Sequence, residues 1–530
     1  MFDHPDAEPM KTRTSTILLA FNLLFLCVNS FAFQAGIKDS LPRSTPEAEG
    51  VSSRGILDFL DAVAASKHEL HSFMFLRHGK VIAEGWWNPY HPDLRHSLYS
   101  LSKSFTSTAV GFAVSENLMT VNDKVISFFP GDLPDTIPPF LAAMRVRDLL
   151  TMSTGQYPEP TWSIIYQDSN WVKAFLRFPV VDEPGTKFMY NSLATYMLSA
   201  IIRKVTGQNV SDYLAPRLFA PLGIEGMDWE TDPMGINTGG WGLRLKTEEV
   251  ARFGQFVLQK GSWKGKKLLP ASWFDEATTV KIMQEAGLPE AKRDSSDWLQ
   301  GYCYQFWRCR HNVFRGDGAY GQFMVVMPEQ DAVVVITCES HDNQPELNLV
   351  WKYLLPAIGG ESLPSNDSLA TSMKRQLASL SLPLPVNTWE PASATNISGR
   401  SFRVSPNKDQ IKAIRFDFSQ EKYTMTMDIG NTRYDFRFGA GTWINGETDR
   451  IGPDLFYGAK SHNAGLNPFK VVGSYGWKDQ RTLILELRYI ESPHRETFIC
   501  RFKGKKVRME LVPSNNPENG RRIVKGKILK

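Results

Sequence analysis

Ser100 and Lys103 stand three residues apart in the segment LYSLSKSFTSTAVGFAV, residues 98–114. A helix beginning at Ser100 would set both side chains on one face, one turn apart. A serine attacks a carbonyl only if its proton has somewhere to go, and a lysine whose pKa is depressed by burial can take it. The positive end of the helix dipole would also favour a developing alkoxide or oxyanion. Ser102 and Ser104 flank Lys103, and neither has a lysine three residues further on. Taken alone, Ser-x-x-Lys is a weak signal and reads more readily as an ordinary helix start capped by Ser100. Its weight comes from the segments that follow.

Those segments are RVRDLLTMSTG at 145–155, PGTKFMYNS at 184–192 leading into a helical stretch, and GDGAYGQ at 316–322 running into a strand. In this order and spacing the chain resembles the serine β-lactamase, D-alanyl carboxypeptidase and esterase superfamily, over roughly residues 45–355. The resemblance implies a role for each matching residue. Ser100 would be the acylated nucleophile, and Lys103 its base or the group that keeps the base ready. Tyr190 matches a tyrosine that relays protons between the nucleophile and the leaving group. The backbone N–H groups of Ser100 and Ala319 would form the oxyanion hole, where one donor typically contributes about 3 kcal/mol to the transition state. Ser192, Asp317 and Gly318 would border the substrate.

Two departures narrow the implied substrate. Ser192 replaces an asparagine of the family pattern and presents no amide. The triplet Gly316-Asp317-Gly318 lacks the cation that often opens this motif and grips a substrate carboxylate. Both point away from β-lactams and D-Ala-D-Ala, and toward a carboxyl ester or small amide, in the manner of the family's esterases and 6-aminohexanoate-dimer-type hydrolases. A peptidoglycan carboxypeptidase or β-lactamase is the first alternative. A non-catalytic binder with a retained pocket is the second.

The elements that must carry these residues are legible as pattern. Residues 56–66 place Ile56, Phe59, Leu60 and Val63 on one helical stripe. Residues 73–83 read as a hairpin, with helices at 145–152, 192–205, 210–217 and 247–260. Strands return at 302–308, 322–327 and 332–337. Early and late strands around a helical middle imply one sheet closed by both chain ends, with helices that cover it and form a second lobe; the resemblance makes this an α/β (α+β) fold with an antiparallel sheet flanked by helices. Residues 359–392 read as a linker with room for a helix. From 393 short alternating strands at 411–418, 423–429, 434–438, 482–489, 496–502 and 506–511 predict a smaller antiparallel sandwich or barrel-like domain. That domain holds no catalytic constellation and reads as accessory, with ligand binding as its alternative. The basic end GRRIVKGKILK reads as a solvated tail.

Trp86, Trp87, Tyr99, Trp162, Trp171 and Trp241 are candidates for an apolar substrate pocket, although core packing accounts for each of them as well. His96 and His311 lie near the motifs and read as structural histidines. Residues 1–32 resemble an upstream extension and a secretory signal: basic residues at 10–13, an apolar run at 17–28 and Ser30-Phe31-Ala32 at a small-x-small site. The run is shorter than the roughly 20 residues of a membrane span. Hence an exported, periplasmic or extracellular enzyme is expected, with no stable span after cleavage. Cys303, Cys309, Cys338 and Cys500 show no zinc spacing and read as buried thiols, though an oxidising compartment permits a disulfide. Sixty basic against fifty-six acidic residues, with no long basic run before the C-terminus, argue against nucleic acid as a partner. No metal or other cofactor motif is present. The expected partner is a small ester, amide or peptide substrate.

Overall fold

The computed structural model describes Met1 and residues 40–285, 287–388, 397–418, 423–461, 463, 466 and 468–529. The expected signal at 10–32 and the end of the expected linker lie outside the described residues. Helix α1 (Ser53–Ala64) buries Ile56, Phe59, Leu60 and Val63, the stripe that the sequence places on one face. The hairpin follows as β1 (Glu69–Arg77) and β2 (Lys80–Trp86). Next come α2 (Ser102–Ser115), α3 (Thr161–Gln167), α4 (Ser192–Thr206) and α5 (Thr247–Leu258). Four strands complete the sheet: β3 (Trp307–Arg308), β4 (Phe314–Gly318), β5 (Gln322–Met327) and β6 (Ala332–Glu339).

The sheet is antiparallel in the order β2-β1-β6-β5-β4-β3. Chain segments some 250 residues apart therefore share one ladder, with Phe73 opposite Ile336 and Phe323 opposite Ile336 on its other side. Both faces of β5 and β6 are buried, so these strands read as continuous apolar runs rather than as alternation. One face packs on α1 and the chain after β6, and α5 covers the other.

The expected strand at 302–308 shrinks to β3. Gln305 has a left-handed backbone, and its buried amide donates to the carbonyls of Leu149 and Leu150 and accepts from Thr195. A residue tied to a helix end and to α4 in this way cannot continue a ladder. The pairing moves instead to β4, whose two glycines and buried Arg315 gave no strand signal.

Helix α6 (Asp367–Ala378) packs on α1 and β2. Ten strands then follow: β7 (Arg400–Val404), β8 (Ile411–Phe418), β9 (Tyr423–Ile429), β10 (Thr432–Ala440), β11 (Ile444–Thr448), β12 (Phe469–Asp479), β13 (Thr482–Tyr489), β14 (Arg495–Lys503), β15 (Lys506–Pro513) and β16 (Arg522–Ile528). Their order is β10-β9-β8-β7-β16-β15-β14-β13-β12-β11, and β10 also meets β12 in parallel at Gly439 and Ala440. That contact closes a barrel around Phe402, Phe416, Met425, Phe436, Leu485 and Phe498. Gly473 permits the closure, since a Cβ there would lie 2.1 Å from the Arg437 carbonyl oxygen.

The basic end is not a solvated tail. As β16 it pairs with β7 on one side and β15 on the other. Val524 and Gly526 point inward and are buried, while Ile523, Lys525 and Lys527 point out. Charge alternating with small apolar residues is the pattern of a half-buried strand, which net basicity conceals.

Barrel and sheet meet across a charged seam. Glu69 and Glu339, at the end of the β1–β6 pair, face Arg488 and Arg495 of the barrel at 2.6–3.0 Å. Arg244 and Arg95 reach Glu491. Burial drives the two glutamates up, but Arg488 with His71 and Arg495 outweighs it at Glu69, and His494 with Arg495 outweighs it at Glu339, so both carboxyls lie below the usual range. Among the described residues, Cys303, Cys309, Cys338 and Cys500 are free and buried, and no helix is long and apolar enough to cross a membrane.

Candidate active site

Ser100 does not start the α-helix as expected. It sits in a 3-10 turn, Tyr99–Leu101, that leads into α2 at Ser102. Tyr99 has φ +45°, a left-handed conformation disfavoured for an aromatic residue. The Ser102 hydroxyl donates to the Tyr99 carbonyl at 2.6 Å and accepts from the Leu243 amide at 3.2 Å. The turn is thereby tied to its own helix and to the short strand beneath it. Ser100 is left half-exposed at the surface of the turn.

Lys103 is 2% exposed. Its Nζ lies 3.1 Å from Ser100 Oγ, 3.0 Å from Ser192 Oγ and 2.7 Å from the Gly240 carbonyl oxygen. Burial pushes its pKa down to about 7, against the opposing pull of Glu159 and Asp317. A neutral amine in this position donates to Gly240 and Ser192 and keeps its lone pair for the Ser100 hydroxyl. An ammonium would spend three protons on the same three oxygens. The site thus holds both ends of a proton transfer without rearrangement.

Tyr190 lies on the other side of the amine, with Nζ 5.0 Å from its ring centroid. Its phenol is hydrogen-bonded to Ser100, but burial dominates and pushes its pKa up. The phenol is therefore held neutral, a proton carrier rather than a phenolate. Its ring stacks on Trp307 at 5.5 Å and meets Tyr302 edge-on. Asn191 next to it is buried and caps α4 by accepting from the Ala194 amide at 3.1 Å. That cap sets Tyr190 and Ser192 at the helix mouth. The middle residue of Tyr-Asn-Ser is thus structural, and the serine is the one that reaches Lys103.

Strand β4 runs along the Ser100 turn. A Cβ on Gly318 would lie 2.1 Å from the Leu98 carbonyl oxygen, and one on Gly316 3.1 Å from Ser104 Oγ. The strand can approach Ser100 this closely only because both positions are glycine. Ala319 follows directly after the strand end. Gly318→Ala should push β4 off the turn and lower kcat/KM for a p-nitrophenyl ester by at least about tenfold. Unchanged kinetics would separate β4 from the chemistry.

Asp317 pairs with Arg315 Nε at 2.7 Å. Arg315 is fully buried, and its guanidinium also lies over Trp298 and Trp307. Asp317 is thus committed to a neighbour on its own strand.

Of the six candidate aromatic residues, Trp171 and Trp241 are buried against each other at 5.7 Å, and Tyr99 is buried in the turn that carries Ser100. Trp86 and Trp87 sit at the end of β2. Trp162 on α3 is 43% exposed. Phe456, from the segment between β11 and β12, stacks on Trp162 at 5.3 Å and on Trp241 at 4.4 Å. His96 pairs with His71 at 3.0 Å, and His311 is exposed beside Trp351.

The sequence reading missed Gly240, Glu159, Trp307 and Phe456. Gly240 acts through its carbonyl, which no side-chain pattern reports. Glu159 follows the RDLLTMSTG segment closely enough to be suspected. Its carboxyl is raised by burial and accepts from the Thr161 amide at 3.0 Å.

A Ser-x-x-Lys turn lying against the glycine-rich edge of a helix-flanked antiparallel sheet is the β-lactamase-like fold. The Beta-lactamase family model matches residues 66–357. Over 286 residues the chain is 26% identical to the 6-aminohexanoate-dimer hydrolase of Paenarthrobacter ureafaciens, covering 50% of this chain and 71% of that protein. Among solved structures, the penicillin-binding protein homologue of Caulobacter crescentus aligns at 13% identity over 57% of this chain and 97% of its own, with TM-score 0.48. The octameric penicillin-binding protein homologue of Pyrococcus abyssi aligns at 14% identity over 89% and 99%, with TM-score 0.46. The chain belongs to the beta-lactamase family of serine hydrolases.

Proposed function

We propose that the protein is an exported hydrolase that cleaves an ester or small amide through an acyl-enzyme on Ser100. The observation that carries this reading is the buried Lys103 amine within hydrogen-bond reach of Ser100 Oγ. Ser100 attacks the carbonyl carbon and passes its proton to neutral Lys103. The N–H groups of Ser100 and Ala319 receive the oxyanion. Neutral Tyr190 hands a proton to the leaving alkoxide or amine and recovers one by way of Lys103. Water then attacks the acyl carbon, and the same groups run in reverse to release the acid.

Asp317 is committed to Arg315, so the Gly316-Asp317-Gly318 strand offers no free cation to a substrate. A substrate carboxylate would find no counter-ion on that strand, which supports neutral esters and amides over β-lactams and D-Ala-D-Ala. The name of the Paenarthrobacter relative, a 6-aminohexanoate-dimer hydrolase, supports an amide within that class. Export rests on the composition of residues 10–32.

Intact-mass labelling with a serine-directed fluorophosphonate should give a single adduct, with short p-nitrophenyl esters turned over faster than nitrocefin. Efficient nitrocefin turnover would move the assignment to a β-lactamase. A folded protein that no acylating probe labels would leave only a binder.

A further inference from the structure

Tyr99 is 2% exposed and carries the left-handed backbone of the nucleophile turn. A strained backbone persists only where its surroundings over-determine it, and most of what surrounds Tyr99 is not part of its own domain. Its phenol oxygen lies 2.6 Å from His494 Nε2, in the turn between β13 and β14. It also lies 3.2 Å from Asp454 Oδ2, and the Leu455 amide donates to it at 3.4 Å. Its ring meets His494 and Phe456 from the barrel side, and Tyr320 from the sheet side.

The imidazole is itself fixed. His494 is fully buried, and its Nδ1 lies 2.6 Å from Glu339 Oε1. The Ser514 hydroxyl donates to the same oxygen at 2.5 Å, and Arg495 holds the other at 3.0 Å. A carboxylate that accepts from Nδ1–H sets the ring plane and aims Nε2 at the phenol. The arrangement has the order of a nucleophile, base and orienting acid, but it ends on a buried phenol already held by Asp454 and the Leu455 amide. It can hold a position and cannot turn over a carbonyl.

We propose that the Glu339–His494–Tyr99 chain positions Ser100, so that the C-terminal barrel is a working part of the hydrolase rather than an accessory. The inference rests on Ser100 being the nucleophile. Tyr99 is the residue before it, and the φ of Tyr99 sets where the Ser100 N–H and Oγ point. If the turn relaxes toward an ordinary backbone, Oγ swings relative to Lys103, and the N–H swings relative to Ala319. Displacements near 1 Å at a reacting atom cost up to about 100-fold. None of the three residues touches substrate. They are positioning residues.

The test uses the full chain with Tyr99→Phe, His494→Phe and His494→Gln. It measures the rate of fluorophosphonate acylation, kcat and KM for a short p-nitrophenyl ester, and the folded fraction by thermal melting. Tyr99→Phe deletes one oxygen and should fold. Its acylation rate and kcat should fall about 10–100-fold with KM within twofold. His494→Phe should fall at least as far, and His494→Gln, whose amide can still reach the phenol, should recover part of the loss. Wild-type acylation by Tyr99→Phe would overturn the proposal. So would losses in all three variants that disappear when rates are expressed per folded molecule. A wild-type protein without a Ser100 adduct would instead sink the hydrolase reading itself.

Discussion

Ser100→Ala should remove the fluorophosphonate adduct and lower ester kcat by about 10⁴-fold or more, with the thermal midpoint nearly unchanged. The chemical loss is large because alanine leaves no atom to form the acyl-enzyme, and only the oxyanion donors and substrate binding remain to assist water. The structural loss is small. Ser100 is half-exposed, and Lys103 keeps Ser192 and the Gly240 carbonyl when Oγ is gone. The comparison is intact mass and steady-state hydrolysis, side by side with melting curves. Retained turnover in a folded variant would place the nucleophile elsewhere.

Lys103→Met should be almost as damaging to activity, by about 10³–10⁴-fold, and its pH behaviour is more diagnostic. In the wild type the neutral amine is the working form, so kcat/KM should rise with pH through an apparent pKa near 7, the value to which burial brings it. That rise should be absent from the residual activity of the variant. Stability follows the same proton. In the unfolded chain the lysine titrates near 10.4, well above its folded value. Between pH 7 and 10 the unfolded state therefore binds a proton that the native state does not. Wild-type stability should rise relative to Lys103→Met across that window by about 1.4 kcal/mol per pH unit, and the difference should flatten below pH 7. Urea denaturation of both proteins at pH 7, 8 and 9 measures it. A pH-independent difference would mean that Lys103 is protonated in the fold and is not the base.

What the sequence revealed follows from the kind of signal each feature leaves. Ser100, Lys103 and Tyr190 come together because their motifs are local, each a few residues wide, and the fold needs only to bring motif to motif. The stripe of α1 and the β1–β2 hairpin were legible for the same reason, through side-chain period. Strand β4 was not, because close approach to the nucleophile turn requires Gly316 and Gly318, which read as turn residues. Strand β16 was hidden by its lysines, whose outward alternation matters more than their number. The seam was invisible in principle. Nothing near Glu69 in sequence announces that its partners Arg488 and Arg495 lie more than 400 residues later. The Tyr99 backbone was equally silent, since an aromatic residue at positive φ is an exception enforced from outside.

The seam also sets a clock. Glu69 and Arg488 are 419 residues apart, and synthesis proceeds at about 5–20 residues per second. Roughly 20–80 s therefore separate the making of the two partners. For most of that interval the nascent chain already carries Ser100 and Lys103 but not the imidazole that holds Tyr99. On the proposed reading, Ser100 would be held in its working position only once the barrel has been made and shut.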